Sequence, residues 1–204
     1  MTLRHYSTIT LAVCCLVFLS PQSQAAKLLI LGDSLSAAYG FEEGSGWVSL
    51  IENHFQANHE IINASISGDT TSGGLLRLPQ LLTKFSPTHV IIELGANDGL
   101  RGYPLSIIED NIKKMIEICR SKASTPILFG MRIPGNYGSR YAEGFANIYT
   151  KIAIEKNVDL MNFDFYEITE TQSLIQSDGL HPAASAQPII KEKVQQFLIK
   201  TLGF

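Results

Sequence analysis

The sequence predicts an α/β protein, a three-layer α/β/α sandwich on a central parallel sheet of about five strands, flavodoxin-like in its order. Three observations carry this. Short apolar runs alternate with longer amphipathic ones from Lys27 onward, the pattern of strands joined by right-handed helical crossovers. The apolar runs are continuous rather than alternating, as strands covered on both faces require. No repeat, low-complexity tract or linker divides residues 27–204, a length that suits one domain around one core.

The elements follow in order. Leu28–Leu31 reads as the first strand, followed by a helix over Trp47–Gln56 and a second strand over Glu60–Ile66. A helix over Gly74–Phe85 stops before Pro87, which cannot continue it, and His89–Leu94 is the third strand. Pro104 suits the first turn of the next helix, Pro104–Ser121. Along it Ile107, Ile108, Ile112, Met115, Ile116 and Cys119 recur at helical spacing as one apolar stripe. Strands over Pro126–Gly130 and Val158–Phe163 flank a helix over Arg140–Lys156, and Ala183–Leu202 closes the chain as a helix.

The N-terminus has a different character. Arg4 and His5 precede an apolar run from Ile9 to Leu19, and then come Pro21 and the small-residue pattern Ser23-Gln24-Ala25. That is the order of a secretory signal peptide, and the run falls short of the ~20 residues needed to span a bilayer. A buried core helix would leave the Ala-rich junction unexplained. Residues 1–26 are therefore expected to be a signal peptide cut after Ala25 or Ala26. The mature domain, 27–204, would be periplasmic or secreted with no stable membrane insertion. Cys14 and Cys15 would leave with the signal; a lipoprotein reading of Leu11-Ala12-Val13-Cys14 is opposed by the bulk of Val13. Cys119 alone remains, so no internal disulfide can form.

Composition excludes two classes. A hydrophobic fraction of 45% with 17% charged residues is that of a folded domain rather than a disordered chain. A net charge of −3 offers no basic surface to displace counterions from nucleic acid. The five histidines, at 5, 54, 59, 89 and 181, show no metal-ligand spacing, so no metal is expected. His54 and His59 read as solvated residues around a helix end and His89 as structural.

In an open parallel sheet, ligands bind beyond the carboxyl ends of the strands. Three polar, glycine-bearing segments fall there, Gly32-Asp33-Ser34-Leu35-Ser36, Ser67 to Gly74 and Gly95-Ala96-Asn97-Asp98-Gly99. A fourth, Asp178-Gly179-Leu180-His181-Pro182, stands just before the last helix and is expected to converge on the same rim. Alone, each is ordinary: Ser34 could be a helix cap, Ser67–Gly74 a turn or phosphate cradle, Asn97-Asp98-Gly99 a turn, and His181 a capping side chain. Together they supply a complete chemistry. A serine hydroxyl needs a base to take its proton, usually histidine, and the imidazole needs a carboxylate to fix its tautomer. Asp178, three residues before His181, is within reach of its ring. The backbone N–H groups of Ser34 and Gly68 and the Asn97 amide could stabilise an oxyanion, Gly68 allowing close backbone approach because it has no side chain. Asp164, at the end of the fifth strand, is the competing carboxylate. Ser34 lacks the Gly-x-Ser-x-Gly setting of the α/β-hydrolase elbow.

These four segments, in this order, resemble the blocks of the GDSL/SGNH hydrolase family. Gly68-Asp69-Thr70-Thr71 with Arg77-Leu78-Pro79, and Pro134-Gly135-Asn136-Tyr137-Gly138 before Arg140-Tyr141, resemble its bacterial thioesterase I/lysophospholipase/arylesterase subgroup. The resemblance covers nearly all of residues 27–204. It implies the SGNH hydrolase fold, Ser34 as nucleophile, His181 and Asp178 as base and orienting acid, and Ser34, Gly68 and Asn97 as the oxyanion hole. It also implies hydrolysis of small-molecule acyl esters, thioesters or lysophospholipids without a cofactor, by a monomer. Two departures stand out: Ala38 where Gly is common, and Gly135 where a second Pro is common and whose loop touches substrate. A carbohydrate O-acetyl esterase on the same site is the alternative enzyme. A non-catalytic, flavodoxin-like phosphate-binding module is the alternative from another class.

Overall fold

The computed structural model describes residues 25–162 and 172–204. Five parallel strands form one sheet in the order β2-β1-β3-β4-β5: β1 Lys27–Gly32, β2 Glu60–Asn63, β3 His89–Glu93, β4 Thr125–Gly130 and β5 Asp159–Asn162. The described helices are α1 Trp47–Phe55, α2 Thr71–Phe85, α3 Ala96–Leu100, α4 Leu105–Ser121, α5 Ser139–Lys156 and α6 Gln187–Leu202. Helices α1 and α6 pack together on one face of the sheet, and α2, α4 and α5 on the other. Leu28 to Leu31 of β1 and Val90 to Ile92 of β3 are buried under both layers, which is why these strands read as unbroken apolar runs.

From β1 the chain steps outward to β2, then returns to the other side of β1 to form β3. Connections therefore diverge from the β1–β3 boundary, where an α/β sheet opens a crevice at its carboxyl edge. Gly32 of β1 and Glu93 of β3 are register partners there. The segments Asp33–Ser36 and Leu94–Asn97 emerge side by side.

The elements differ from expectation mainly at their ends, and local hydrogen bonds account for it. Strand β2 stops at Asn63 instead of running to Ile66, because the Asn63 side chain accepts from the Ser65 N–H (3.1 Å) and donates to the Ser36 carbonyl (2.8 Å). Such Asx turns draw the backbone off the ladder. Helix α2 begins at Thr71 rather than Gly74, since the Thr70 hydroxyl caps it by accepting from the Gly73 N–H. Asn97-Asp98-Gly99, expected as a turn, lies in the one-turn helix α3. The last helix starts at Gln187 after a short 3-10 turn, Ala184–Ala186. Phe163 and Asp164 lie outside the described residues.

On α4, Ile108, Ile112, Met115, Ile116 and Cys119 are fully buried, each stabilising the fold by roughly 1.5–3 kcal/mol for an aliphatic side chain. Ile107, placed by periodicity in the same stripe, is 46% exposed. His59 also departs from expectation. It is not simply solvated but accepts from the Ala26 N–H at 3.1 Å and stacks on Phe204 with ring centroids 4.1 Å apart. Burial pushes its pKa down.

Candidate active site

At the carboxyl edge, Ser34 is half-buried in the turn leaving β1, and its hydroxyl lies 3.0 Å from His181 Nε2. On the far side of the ring, Nδ1 is 2.7 Å from Asp178 Oδ2. With Nδ1–H donated to the carboxylate, Nε2 is left as the acceptor facing the serine. The second Asp178 oxygen accepts the N–H groups of Leu180 (2.9 Å) and His181 (3.0 Å). One carboxylate thus folds the loop and orients the ring that the loop carries. Gly179 makes the turn at φ +69°, a conformation other residues enter at a cost. Burial alone would raise the Asp178 carboxyl, but the two backbone donors and the His181 ring hold it down at about 2. It is therefore an anion throughout the neutral range.

Tyr39 lays its ring against His181, centroids 4.4 Å apart. Gln176 locks the two segments together, donating from Nε2 to the Tyr39 carbonyl (2.8 Å) and to the Pro182 carbonyl (3.0 Å). His181 is therefore held through its loop as well as through its ring.

Asn97 stands on α3, immediately beyond β3, and its Nδ2 donates to Asp33 Oδ2 at 3.0 Å. An amide nitrogen has two protons, so one anchors the side chain and the other remains available for a ligand. Asp33 is buried beside Ser34. Its Oδ1 accepts the Leu35 N–H (3.1 Å), and its own N–H donates to Glu93 Oε2 (3.1 Å). Burial pushes the Asp33 carboxyl up to about 6, opposed by its hydrogen bonds and by His181. Burial and the Asp33 charge push Glu93 well above the usual carboxylate range.

Gly68 lies in the exposed loop after β2, with its carbonyl accepting from Arg101 Nη2 (3.2 Å). It is not among the residues lining the cleft beside Ser34. The loop is clamped from below by Arg77 of α2, which pairs with Asp69 (2.8 Å) and donates to the carbonyls of Ala64 and Gly32. A second bracket joins α2 to α3: the buried Asp98 carboxylate accepts the Thr71 N–H (2.8 Å) and hydroxyl (2.7 Å).

The structure brings Ser34, His181 and Asp178 into one line of hydrogen bonds, with Asn97 across the same cleft. Several supporting residues escaped the sequence reading. Asp33 was visible in the first motif without a role. Glu93 was visible as the one charge in an apolar strand, a signal that a buried acid must be partnered. Arg77 was visible in the Arg77-Leu78-Pro79 motif without a role, and nothing local marks Gln176 or Tyr39; their contacts span 45, 137 and 142 residues of chain.

The cleft has a volume of about 120 Å³ and an apolar wall of Leu35, Leu100, Phe129, Met131, Ile133 and Pro134, with Leu180 at its edge. Among the described residues no three His, Cys, Asp or Glu side chains cluster to hold a metal ion. Cys119 is free and buried, its thiol pushed up to about 12 by burial, and so is unreactive. None of the described helices is long and apolar enough to cross a membrane.

Comparison with known proteins matches residues 30–187 to the GDSL-like Lipase/Acylhydrolase family. An arylesterase of Vibrio mimicus is 46% identical over 188 residues, 90% of this chain and 94% of that protein. Thioesterase 1/protease 1/lysophospholipase L1 of Escherichia coli is 42% identical over 178 residues, 87% of this chain and 86% of that protein. Among solved structures, the psychrotrophic esterase EstA from Pseudoalteromonas sp., inhibited by monoethylphosphonate, superposes with a TM-score of 0.85. It is 42% identical, and the match covers 88% of this chain and 100% of that one.

Proposed function

The chain belongs to the GDSL-like lipase/acylhydrolase family and is an ester-hydrolysing enzyme, and we propose that Ser34 is its nucleophile, with His181 as base and Asp178 as orienting acid. The observation that carries this reading is the continuous relay from Ser34 Oγ through His181 to Asp178, with contacts of 3.0 and 2.7 Å, opening on an apolar cleft.

On this reading the reaction runs through an acyl-Ser34 intermediate. Ser34 Oγ attacks the acyl carbonyl carbon as its proton passes to His181 Nε2, and the Asp178 carboxylate stabilises the imidazolium that forms. Negative charge collects on the carbonyl oxygen, where the Ser34 N–H and the free proton of the Asn97 amide are the donors beside the cleft, with the Gly68 N–H as a third donor by its position in the family motif alone. The intermediate collapses and the alcohol or thiol leaves with the proton from His181. Water, deprotonated by His181, then cleaves acyl-Ser34 and restores the hydroxyl.

The substrate is a small-molecule ester or thioester, and the apolar wall suits its acyl chain. That wall favours lipid-like acyl groups over the acetyl groups of a carbohydrate esterase. The pattern Ser23-Gln24-Ala25 and a first strand beginning at Lys27 support export and cleavage after Ala25 or Ala26. A series of p-nitrophenyl esters from acetyl to palmitoyl, run beside an acetylated sugar and a lysophospholipid, tests the substrate reading. The expected result is kcat/KM rising beyond acetyl. A preference for acetyl, with the acetylated sugar turned over faster, overturns it. Thermal stabilisation by nucleotides without any ester turnover would instead point to a phosphate-binding module.

A further inference from the structure

Glu93 ends β3 with its carboxyl out of water, beneath the turn that carries Ser34. Its Oε2 accepts the Asp33 N–H (3.1 Å) and the Ser36 hydroxyl (2.6 Å). Its Oε1 is buried and meets no donor among the described residues. Asp33, whose own N–H is bonded to Oε2, brings the neighbouring carboxyl, and the two acids act on each other's charge. Two carboxylates touching in a dry interior do not both ionise; one keeps a proton and donates it to the other. Asp33 already accepts the Leu35 N–H and the Asn97 amide, and such donors favour its charged form. Glu93 Oε1 is the oxygen left to carry the proton.

We propose that Glu93 is a positioning residue, a neutral carboxylic acid whose Oε1–H is donated to the Asp33 carboxylate, and that this pair holds the Asn97 amide and the Ser34 turn in register. The proposal rests on the reading of Asn97 as an oxyanion donor. In it, Asp33 presents a fixed anion to Asn97 Nδ2, which keeps the amide from flipping and aims its second proton into the cleft. An ionised Glu93 would set two like charges against each other and push Asp33 off its donors. The direction in which burial drives both groups agrees with this: Asp33 up to about 6, and Glu93 well above the usual carboxylate range, raised further by the Asp33 charge. The titratable groups that act on the pair are His181, on Asp33, and Tyr149 of α5, on both acids; Arg77 Nη2 lies 3.3 Å from the carbonyl of the adjacent Gly32.

Gly32 belongs to the same device. A Cβ there would stand 2.4 Å from Glu93 Oε2 and 2.9 Å from Ser36 Oγ. The first glycine of the nucleophile motif therefore makes room for the acid behind it.

Glu93→Gln copies a neutral acid: its carbonyl can accept from Asp33 N–H and the Ser36 hydroxyl, and its amide can donate to Asp33. Glu93→Ala removes all three bonds. For ester hydrolysis, E93Q should keep kcat within a few-fold of wild type. E93A should lose kcat with little change in KM, by no more than the ~10²–10³ expected for removing an oxyanion donor itself, measured alongside as Asn97→Ala. The infrared difference spectrum of wild type minus E93Q at neutral pH should contain a protonated-carboxyl C=O band that shifts on deuteration. This measurement stands even if E93A does not fold. Absence of that band, or an E93Q as slow as E93A, overturns the proposal. Near-normal turnover by N97A would fault the oxyanion role of Asn97 instead, while the infrared band separately decides where the proton sits.

Discussion

Replacing Arg77 with methionine keeps the aliphatic stem and removes the guanidinium that clamps the Gly68 loop. Its partners are Asp69 at 2.8 Å and the carbonyls of Ala64 and Gly32, with side-chain exposures of only 19% for Arg77 and 11% for Asp69. Asp69 would keep the Thr70 N–H (2.9 Å) but lose its counter-charge. Charge-assisted hydrogen bonds contribute about 1.5–3 kcal/mol each, and an orphaned buried group adds its desolvation cost. Residual exposure screens part of this, so a loss of ~3 kcal/mol is expected, against the 3–5 kcal/mol of a fully buried pair. For a domain of this size that corresponds to a fall in Tm of about 6–12 °C. Thermal melts of R77M, Asp69→Asn and the double variant form a cycle. Because the two residues share one interaction, the double variant should lose much less than the sum of the singles. Additive losses, or an R77M melting within a degree of wild type, would refute the clamp.

Three further outcomes are expected. Asp33 has its pKa raised to about 6 from 3.8; because the fold prefers its protonated form, its contribution to stability is complete below 3.8 and is lost as pH rises through 6. Denaturant titrations should show wild type losing stability relative to Asp33→Asn between pH 4 and 6, whereas an unchanged difference contradicts the assignment. Ala38 stands at φ +56°, a left-handed conformation that strains any residue with a Cβ. Ala38→Gly should raise stability by up to ~1 kcal/mol once the glycine's chain entropy is counted, and a lower Tm speaks against it. Asp178→Asn keeps the oxygen that accepts Leu180 and His181 N–H but presents a donor to Nδ1, forcing the wrong tautomer; ester hydrolysis should fall by up to ~10⁴ in a folded protein, and a loss under tenfold would remove Asp178 from this role.

What was legible beforehand follows physical lines. The strands β1 and β3 are covered on both faces, so their residues had to be apolar, and this survives in the sequence as an unbroken run. Helix α4 was legible from its period, although periodicity alone put Ile107 inside. The segments bearing Ser34 and Asn97 were legible together because strand ends in a parallel sheet share one edge, and the His181 segment joined them through the base that a nucleophilic serine requires. Element ends were less so: Asn63 ends β2 by bonding Ser65 and Ser36, and only the latter contact, across 27 residues, ties it to the site. The supports of the site were largely hidden for the same reason. Arg77 stands in a motif of the sequence, but its role emerges only where its side chain reaches the Gly32 carbonyl, and Gln176 looks like any loop residue until it bridges to Tyr39. Glu93 carries a local signal, an acid in a buried strand that needs a partner, but its sequence neighbours do not say which partner or what role.

The measurement closest to the central claim is active-site labelling. Incubated with a fluorophosphonate and digested for mass spectrometry, the protein should carry a single adduct, on Ser34, formed in step with the loss of ester hydrolysis. Ser34→Ala should stay folded, take up no label and lose ~10⁴-fold or more of its turnover. An adduct on any other residue, or an S34A variant that hydrolyses esters at near the wild-type rate, would contradict Ser34 as the nucleophile.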